Sequence, residues 1–287
     1  MEKIKNKNTF RLFNYKWKNV PDWGLKTEDI YIKWYLKRYK FQNISSLKKF
    51  LKTKRNILDA GCGLGRDTKL FAKLNPNANI FACDQSKHAI KEVKKNLKKF
   101  KNVKIFKADI TKKIKINKKF DFISCDQVLH HTPNPGLTLK NLYSNLNVGG
   151  YLNFFTCRKK NPYRDFVDDE LMNYFQNKSP QELWKFSEIV TNFGKALYDL
   201  KINNIKFNKK KYSNLQLFIH NQIFRCWYNP KIDFKLSISS NYDWFSNNPR
   251  YNLGELKKIL KTSLKNFKIV STYEDDASVS IKIKKLK

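Results

Sequence analysis

Residues 56–72, NILDAGCGLGRDTKLFA, set Asp59 two positions before the first of three alternating glycines, Gly61, Gly63 and Gly65. A glycine-rich turn after a strand lets backbone approach a ligand, and the helix beyond it offers unpaired N–H groups. The spacing is GxGxG rather than the GxGxxG of dinucleotide-binding turns, and an acid at Asp59 would repel a pyrophosphate. It favours a ligand that carries positive charge.

S-adenosylmethionine offers both an ammonium and a sulfonium, and Asp59 is the sensible partner for the α-ammonium. Further acids recur where the same ligand needs them. Asp84 closes the second apolar run, 25 residues after Asp59, where a carboxylate can accept from both ribose hydroxyls. Asp109 follows the third run and can receive the adenine amino group. Asp126 and Gln127 follow the fourth, toward the methionine end of the cofactor and the mouth of the substrate site. Cys62, Gln85 and Ile110 neighbour these positions and join the expected cofactor-binding set. Any one of the acids also fits a turn or N-cap role, but four at successive strand ends argue for one ligand.

The elements that must position these residues are readable from periodicity. NILDA, NIFACD (79–84), VKIFK (103–107), FDFISCD (120–126) and YLNFFT (151–156) read as strands. Between the second and third, Ala89, Ile90, Val93, Leu97 and Phe100 share a helical face, with Ser86 as N-cap. A helix over 136–146 is expected to stop at Gly149-Gly150. A last helix over 253–264 precedes FKIVSTY and ASVSIKIKK, two runs close enough to pair as an antiparallel hairpin. The expected fold is α/β: a Rossmann-like, doubly wound, mostly parallel seven-stranded sheet with an antiparallel final hairpin and an inserted helical, aromatic-rich cap. The expected domains are an N-terminal, partly helical extension over the cofactor site (1–54), the cofactor-binding core (55–157), the inserted substrate cap (158–248), and a C-terminal helix and hairpin completing the sheet (249–287). An oligomerisation surface is the competing role for 158–248.

LDAGCGLGR, ACDQS, KADI and FDFISCDQVLHHTPNPGLTLKNLYSNLNVGGYL resemble the successive motifs of class I S-adenosylmethionine-dependent methyltransferases. The segment around LHH is similar to the ubiquinone/menaquinone-biosynthesis branch. The match covers residues 55–157, while FNYKW, NPYRDFVDD, FRCWYN and YDWF look similar to segments of a bacterial subgroup. The resemblance implies cofactor-binding roles for Asp59, Gly61, Gly63, Asp84, Asp109 and Asp126. Family members that methylate planar amino groups carry an [ND]PP[YF]-like segment after the fourth strand. DQVLHH stands there instead, which argues against a base-amino target.

Methyl transfer from a sulfonium is an in-line displacement, so the protein supplies mainly proximity, orientation and exclusion of water. His130 and His131 follow the fourth strand, and either can take a proton at neutral pH. The alternative is one loop-bonded and one packed histidine. Adjacent histidines make poor joint ligands, so no metal is expected. Only 8 of the 59 basic residues are Arg, so Arg66, Arg158, Arg164, Arg225 and Arg250 can mark sites that need a bidentate fork. Arg158 and Arg164 open the inserted segment and are the expected substrate contacts, with Tyr163 and Trp244 among the aromatics walling the pocket.

The formal charge of +35 would ordinarily point to nucleic acid. With 51 Lys and 32 Asn it reads instead as compositional bias, a lysine-coated surface, so nucleic acid is not the favoured partner. The five cysteines are scattered and unpaired by spacing, as reduced thiols are. No run of 18 apolar residues and no apolar leader segment occur, which predicts no membrane span and a cytoplasmic protein. The expected activity is methyl transfer to a small-molecule or metabolite acceptor. RNA or protein methylation through the basic surface and a non-catalytic cofactor-binding module are the alternatives; cofactor binding without turnover on any acceptor would mark the last.

Overall fold

The five-residue run NILDA is buried at every position after its first, as a strand covered on both faces must be. The computed structural model describes residues 2–21, 25, 28–246 and 249–287. The edges of two expected segments, at 1, 22–24, 26–27 and 247–248, lie outside the described residues. The described strands are β1 Asn56–Ala60, β2 Asn79–Asp84, β3 Val103–Lys107, β4 Phe120–Cys125, β5 Leu146–Cys157, β6 Asn203–Phe207, β7 Lys210–Asn214, β8 Phe267–Glu274 and β9 Ser278–Lys285. The helices are α1 Glu2–Asn19, α2 Glu28–Arg38, α3 Ile44–Lys52, α4 Arg66–Leu74, α5 Lys87–Asn96, α6 Pro135–Ser144, α7 Pro162–Phe175, α8 Pro180–Asp199, α9 Leu215–Gln222, α10 Phe234–Phe245 and α11 Leu253–Ser263.

The chain divides into two compact units, Met1–Arg158 with Pro249–Lys287, and Lys159–Asn248. In the first, seven strands run in the order β3-β2-β1-β4-β5-β9-β8. The pairings are parallel through β5, and β9 is antiparallel to both β5 and β8. Strand period 2 sorts the core into two layers: Leu58, Phe81 and Ile123 pack on one face, Ile57, Ile80 and Phe122 on the other. The strand order reverses between β1 and β4, which opens a crevice at the carboxyl ends of these strands.

Local chemistry explains most boundaries. Ser86 caps α5 by accepting from the Ala89 N–H, and Asn43, Ser179 and Asn252 close capping boxes on α3, α8 and α11. One boundary differs from expectation. Gly149 and Gly150 lie inside the twelve-residue β5 rather than at a helix end. Between Phe120↔Leu146 and Phe122↔Tyr151 the register shifts, so residues 147–150 form an irregularity in which Gly149 takes φ 78°. The helix before it stops at Ser144, with Asn145 as its cap.

The second unit is helical, with a small antiparallel pair of β6 and β7 that periodicity did not reveal. Lys209 belongs to its turn, and Lys210 and Lys211 to β7. Asn208 and Lys209 both have positive φ, as a tight two-residue hairpin turn requires. Gly194 of α8 lets the 226 backbone come very close: a Cβ there would sit 2.1 Å from the Cys226 carbonyl oxygen. None of the five cysteines forms a disulfide, and all are buried.

Candidate functional site

The GxGxG turn is held by backbone bonds before any ligand is considered. Gly61 and Cys62 both donate to the Cys83 carbonyl at the end of β2, and the Gly63 N–H donates to Asp84 Oδ2 at 3.1 Å. Gly63 has φ 52°, and a Cβ there would meet the Trp17 ring of α1 at 3.1 Å. Gly65, at φ 89°, begins α4, and a Cβ there would press on Val93 of α5 at 2.5 Å. The space freed by these glycines is therefore filled by protein side chains, so they serve close packing of the turn against α1 and α5. Cys62 likewise points into a small core with Ala82, Val93 and Leu97.

Behind the turn lies a buried ionic cluster. Asp59 is 3% exposed and accepts from Thr68 Oγ1 at 2.5 Å. Burial, then the neighbouring charge of Asp67, pushes its pKa up to about 8 against the opposing effects of Thr68 and Arg66. Arg66 forks onto Asp67 at 2.7 and 2.8 Å and reaches Asp126 Oδ2 at 3.0 Å. Asp126 also accepts from Arg38 at 3.2 Å, Tyr39 at 2.8 Å and Gln127 at 3.2 Å. Burial alone would raise its pKa, but the Arg38 and Arg66 guanidinium groups and these donors hold it below the usual carboxylate value. Three carboxylates thus meet two guanidinium groups, and the one left protonated is Asp59. A cation beside Asp59 would restore its charge, so the residues present fit a ligand that brings an ammonium or sulfonium.

The other expected positions fall along the same strand ends. Asp84 Oδ1 accepts from Ser86 N–H at 2.8 Å, and desolvation raises its pKa against the Ser86, Gly63 and Gln85 N–H groups. Asp109 closes a turn, accepting from Thr111 N–H at 3.0 Å and Thr111 Oγ1 at 2.7 Å. Gln127 takes a left-handed φ of 59°, and Ile110 is buried. His130 and His131 lie on a short 3-10 turn, with ring centroids 4.1 Å apart. His130 is 3% exposed and donates to the Phe155 carbonyl; burial pulls its pKa down to about 4, so it is neutral at physiological pH. His131 stands edge-on to Phe13 of α1 at 4.6 Å.

Of the four expected substrate residues, Arg164 and Trp244 are brought together. Arg158 pairs with Glu274 at 2.8 Å and donates to the Asp275 carbonyl at 3.1 Å, which ties it to the turn between β8 and β9. Tyr163 is exposed on α7. Arg164 is wholly buried, and it and Trp244 converge on Asp168 inside the second unit. Among the described residues no group of three or more His, Cys, Asp or Glu could hold a metal ion.

Sequence reasoning missed Arg38, Tyr39, Asp67 and Thr68. A signal existed in YIKWYLKRY: Tyr31, Tyr35, Arg38 and Tyr39 recur at one helical face. Tyr31 sits under Arg66 at 4.8 Å, and Tyr35 bonds Ser124 of β4 at 3.1 Å. Lys282 of β9 donates to the Tyr39 carbonyl at 2.8 Å and fixes the end of α2 against the sheet.

A sheet of this order with acids at successive carboxyl edges defines a Rossmann-like methyltransferase fold. Residues 51–216 match the family model described as "Methyltransferase domain". The chain belongs to this family, and its domain is of the methyltransferase class. The chain is similar to a malonyl-[acyl-carrier protein] O-methyltransferase of Halalkalibacterium halodurans, 35% identical over 36% of this chain and 39% of that protein. It is 32% identical to a tRNA N(3)-cytidine methyltransferase of Homo sapiens over 38% of this chain and 41% of that one. A ubiquinone biosynthesis O-methyltransferase of Coxiella burnetii is 30% identical over 37% and 44% respectively. The alignments span less than half the length of these curated relatives. Among solved structures, PKMT2 from Rickettsia typhi superposes with a TM-score of 0.56 at 15% identity, over 84% of this chain and 52% of that one, and shows the shared fold. No described helix is long and apolar enough to cross a membrane.

Proposed function

We propose that the chain transfers a methyl group from S-adenosylmethionine to an oxygen of a small-molecule acceptor. The observation that carries the cofactor assignment is the buried Asp59 carboxyl group behind the glycine turn, whose pKa is raised by burial and by Asp67 and which an incoming cation would ionise. In this reading Asp59 holds the ammonium, Asp84 accepts from the ribose hydroxyls, and the Asp109 turn borders the adenine. Asp126, already neutralised by Arg38 and Arg66, serves as the pin that fixes these guanidinium groups at the methionine end. The cofactor supplies an electrophilic methyl group on a sulfonium. The protein positions the acceptor and excludes water; where the acceptor has a proton to lose, His131 is the base of the pair, because burial leaves His130 too weak a base to take a proton at neutral pH, contrary to the expectation for it.

Two of the three relatives act on oxygen, which supports an oxygen acceptor and a place near the ubiquinone-type branch. The RNA reading draws on the tRNA-modifying relative and on the charge of +35. Against it, residues 159–248, proposed as the substrate-binding insertion, carry fourteen Lys and Arg against nine Asp and Glu, so most of the excess charge lies elsewhere in the chain. The test is calorimetry with S-adenosylmethionine, followed by turnover of methyl-labelled cofactor against a metabolite extract and against total tRNA. No cofactor binding would refute the function. Label on tRNA at physiological salt, and none on metabolites, would replace the small-molecule acceptor with RNA.

A further inference from the structure

The second unit buries more cationic hydrogen-bonding capacity than it satisfies. Arg164 sits in the first turn of α7, three residues after its cap Asn161, and is 0% exposed. Its Nε donates to Asp168 Oδ2 at 2.9 Å, and that oxygen also accepts from Trp244 Nε1 of α10 at 2.8 Å. The outer edge of the guanidinium, Nη1 and Nη2, is buried with no hydrogen-bond partner, and so are His220 Nδ1 of α9 and the second carboxylate oxygen of Asp168, Oδ1. Arg225 brings a second guanidinium to the same indole: its Cζ lies 4.7 Å from the Trp244 ring centroid, and that of Arg164 lies 5.6 Å from it. Arg225 is oriented by Asn241 Oδ1 at 2.8 Å and Ser240 Oγ at 2.8 Å.

Leaving the two terminal nitrogens of a buried guanidinium unmet is among the costlier arrangements a protein interior can hold. Stacking two like charges on one tryptophan adds repulsion. The neutrality of His220 reports the same field: burial, then Arg225, Arg164 and Lys160, depress its pKa well below the ordinary histidine value. A single group relieves all three features, namely an oxyanion whose two oxygens lie along the Nη1–Nη2 edge in the bidentate geometry that arginine favours.

We propose that residues 159–248 contain a built oxyanion-binding site, formed by Arg164, Arg225 and His220 around Trp244, that takes a carboxylate or phosphate carried by a small molecule. As the handle by which the methyl acceptor is held, the site rests on the reading of this segment as the substrate-binding insertion. Its occupancy by an oxyanion does not depend on methyl transfer.

The experiment titrates the full-length chain with acetate and, separately, with inorganic phosphate at constant ionic strength made up with chloride. Saturation-transfer NMR follows acetate, phosphorus NMR follows phosphate, and the His220 imidazole resonance reports on the site. Saturable binding is expected, with the His220 signal shifting in step. Arg164→Lys keeps the charge but removes the fork, and is expected to weaken the preferred anion about tenfold. Tighter acetate identifies a carboxylate handle and tighter phosphate a phosphorylated one. S-adenosylmethionine affinity is measured on the same samples, so loss of the methyltransferase reading shows separately as absent cofactor binding. A linear, unsaturable response, or equal affinity in wild type and Arg164→Lys, overturns the proposal and leaves ordered water as the partner of these nitrogens. Should Arg164→Lys not fold, His220→Gln takes its place, and unchanged anion affinity there overturns the proposal equally.

Discussion

If Asp59 pairs with the cofactor's ammonium, its raised pKa makes binding a proton-releasing event. With its pKa at about 8, roughly one molecule in ten carries an ionised Asp59 at pH 7 and about one in a hundred at pH 6. If the ammonium requires the carboxylate, the apparent Kd for S-adenosylmethionine weakens as pH falls, approaching tenfold per unit well below 8 and by about 2.6 kcal/mol between pH 7.5 and 5.5. The ligand's own α-amino group stays largely charged through that window. Calorimetry at four pH values, each in two buffers of different ionisation enthalpy, reads both Kd and proton count, and about 0.9 proton should leave per cofactor bound at pH 7. Asp59→Asn keeps an acceptor for Thr68 but cannot ionise, so it should bind weakly with a flat pH profile and no proton release from this site. A wild-type Kd that ignores pH, or an equal slope in Asp59→Asn, refutes the pairing.

The same residue has a stability consequence of fixed sign. Its folded pKa lies above the unfolded carboxyl value, so the ligand-free chain loses stability as pH rises from about 4 through about 8. Asp59→Asn removes that loss and should therefore gain in melting temperature relative to wild type across this range, while losing cofactor affinity.

Asp84→Ala should weaken cofactor binding by about 1.5–3 kcal/mol, since two ribose hydroxyls lose a charged acceptor; unchanged affinity by calorimetry would remove Asp84 from the site. Gly194→Ala drives a methyl group onto the Cys226 carbonyl and should cost about 1–3 kcal/mol or more in denaturant unfolding, with cofactor affinity retained if the insertion loosens independently of the core. RNA affinity arising only from the lysine surface should collapse between low and physiological salt without preference among RNAs, and tight selective binding at physiological salt would contradict the small-molecule reading. His130, with its pKa pulled down to about 4, should contribute no inflection to kcat/KM above pH 5; an inflection near pH 6.5 that vanishes in His130→Gln would show that burial does not keep it neutral.

What could be read in the sequence, and what could not, divides along physical lines. Strands covered on both faces announce themselves as unbroken apolar runs, and acids that interrupt such runs at their carboxyl ends stand out: Asp59, Asp84 and Asp126 were visible for that reason. The partners of those acids were not, because Thr68 and Asp67 lie on the exposed-looking start of α4, and Arg38 and Tyr39 approach from nearly ninety residues away in the chain. The hairpin of β6 and β7 escaped because only Tyr212 is buried along β7 and none of β6 is. Its turn also uses Lys209 at a left-handed position where glycine would have signalled it.

Arginine is where composition and chemistry meet. Of the eight arginines beside 51 lysines, Arg11 and Arg55 are exposed, while others make contacts that an ammonium cannot copy. Arg66 forks onto Asp67 while reaching Asp126 with the same terminal nitrogen, a geometry no lysine can copy. Arg158 spans a carboxylate and a backbone carbonyl at the closing hairpin, and Arg225 holds an amide and a serine together. Arg164 departs from this pattern: one nitrogen is used and two are left buried without a protein partner. That unmatched edge is where the proposed oxyanion would supply the missing acceptor.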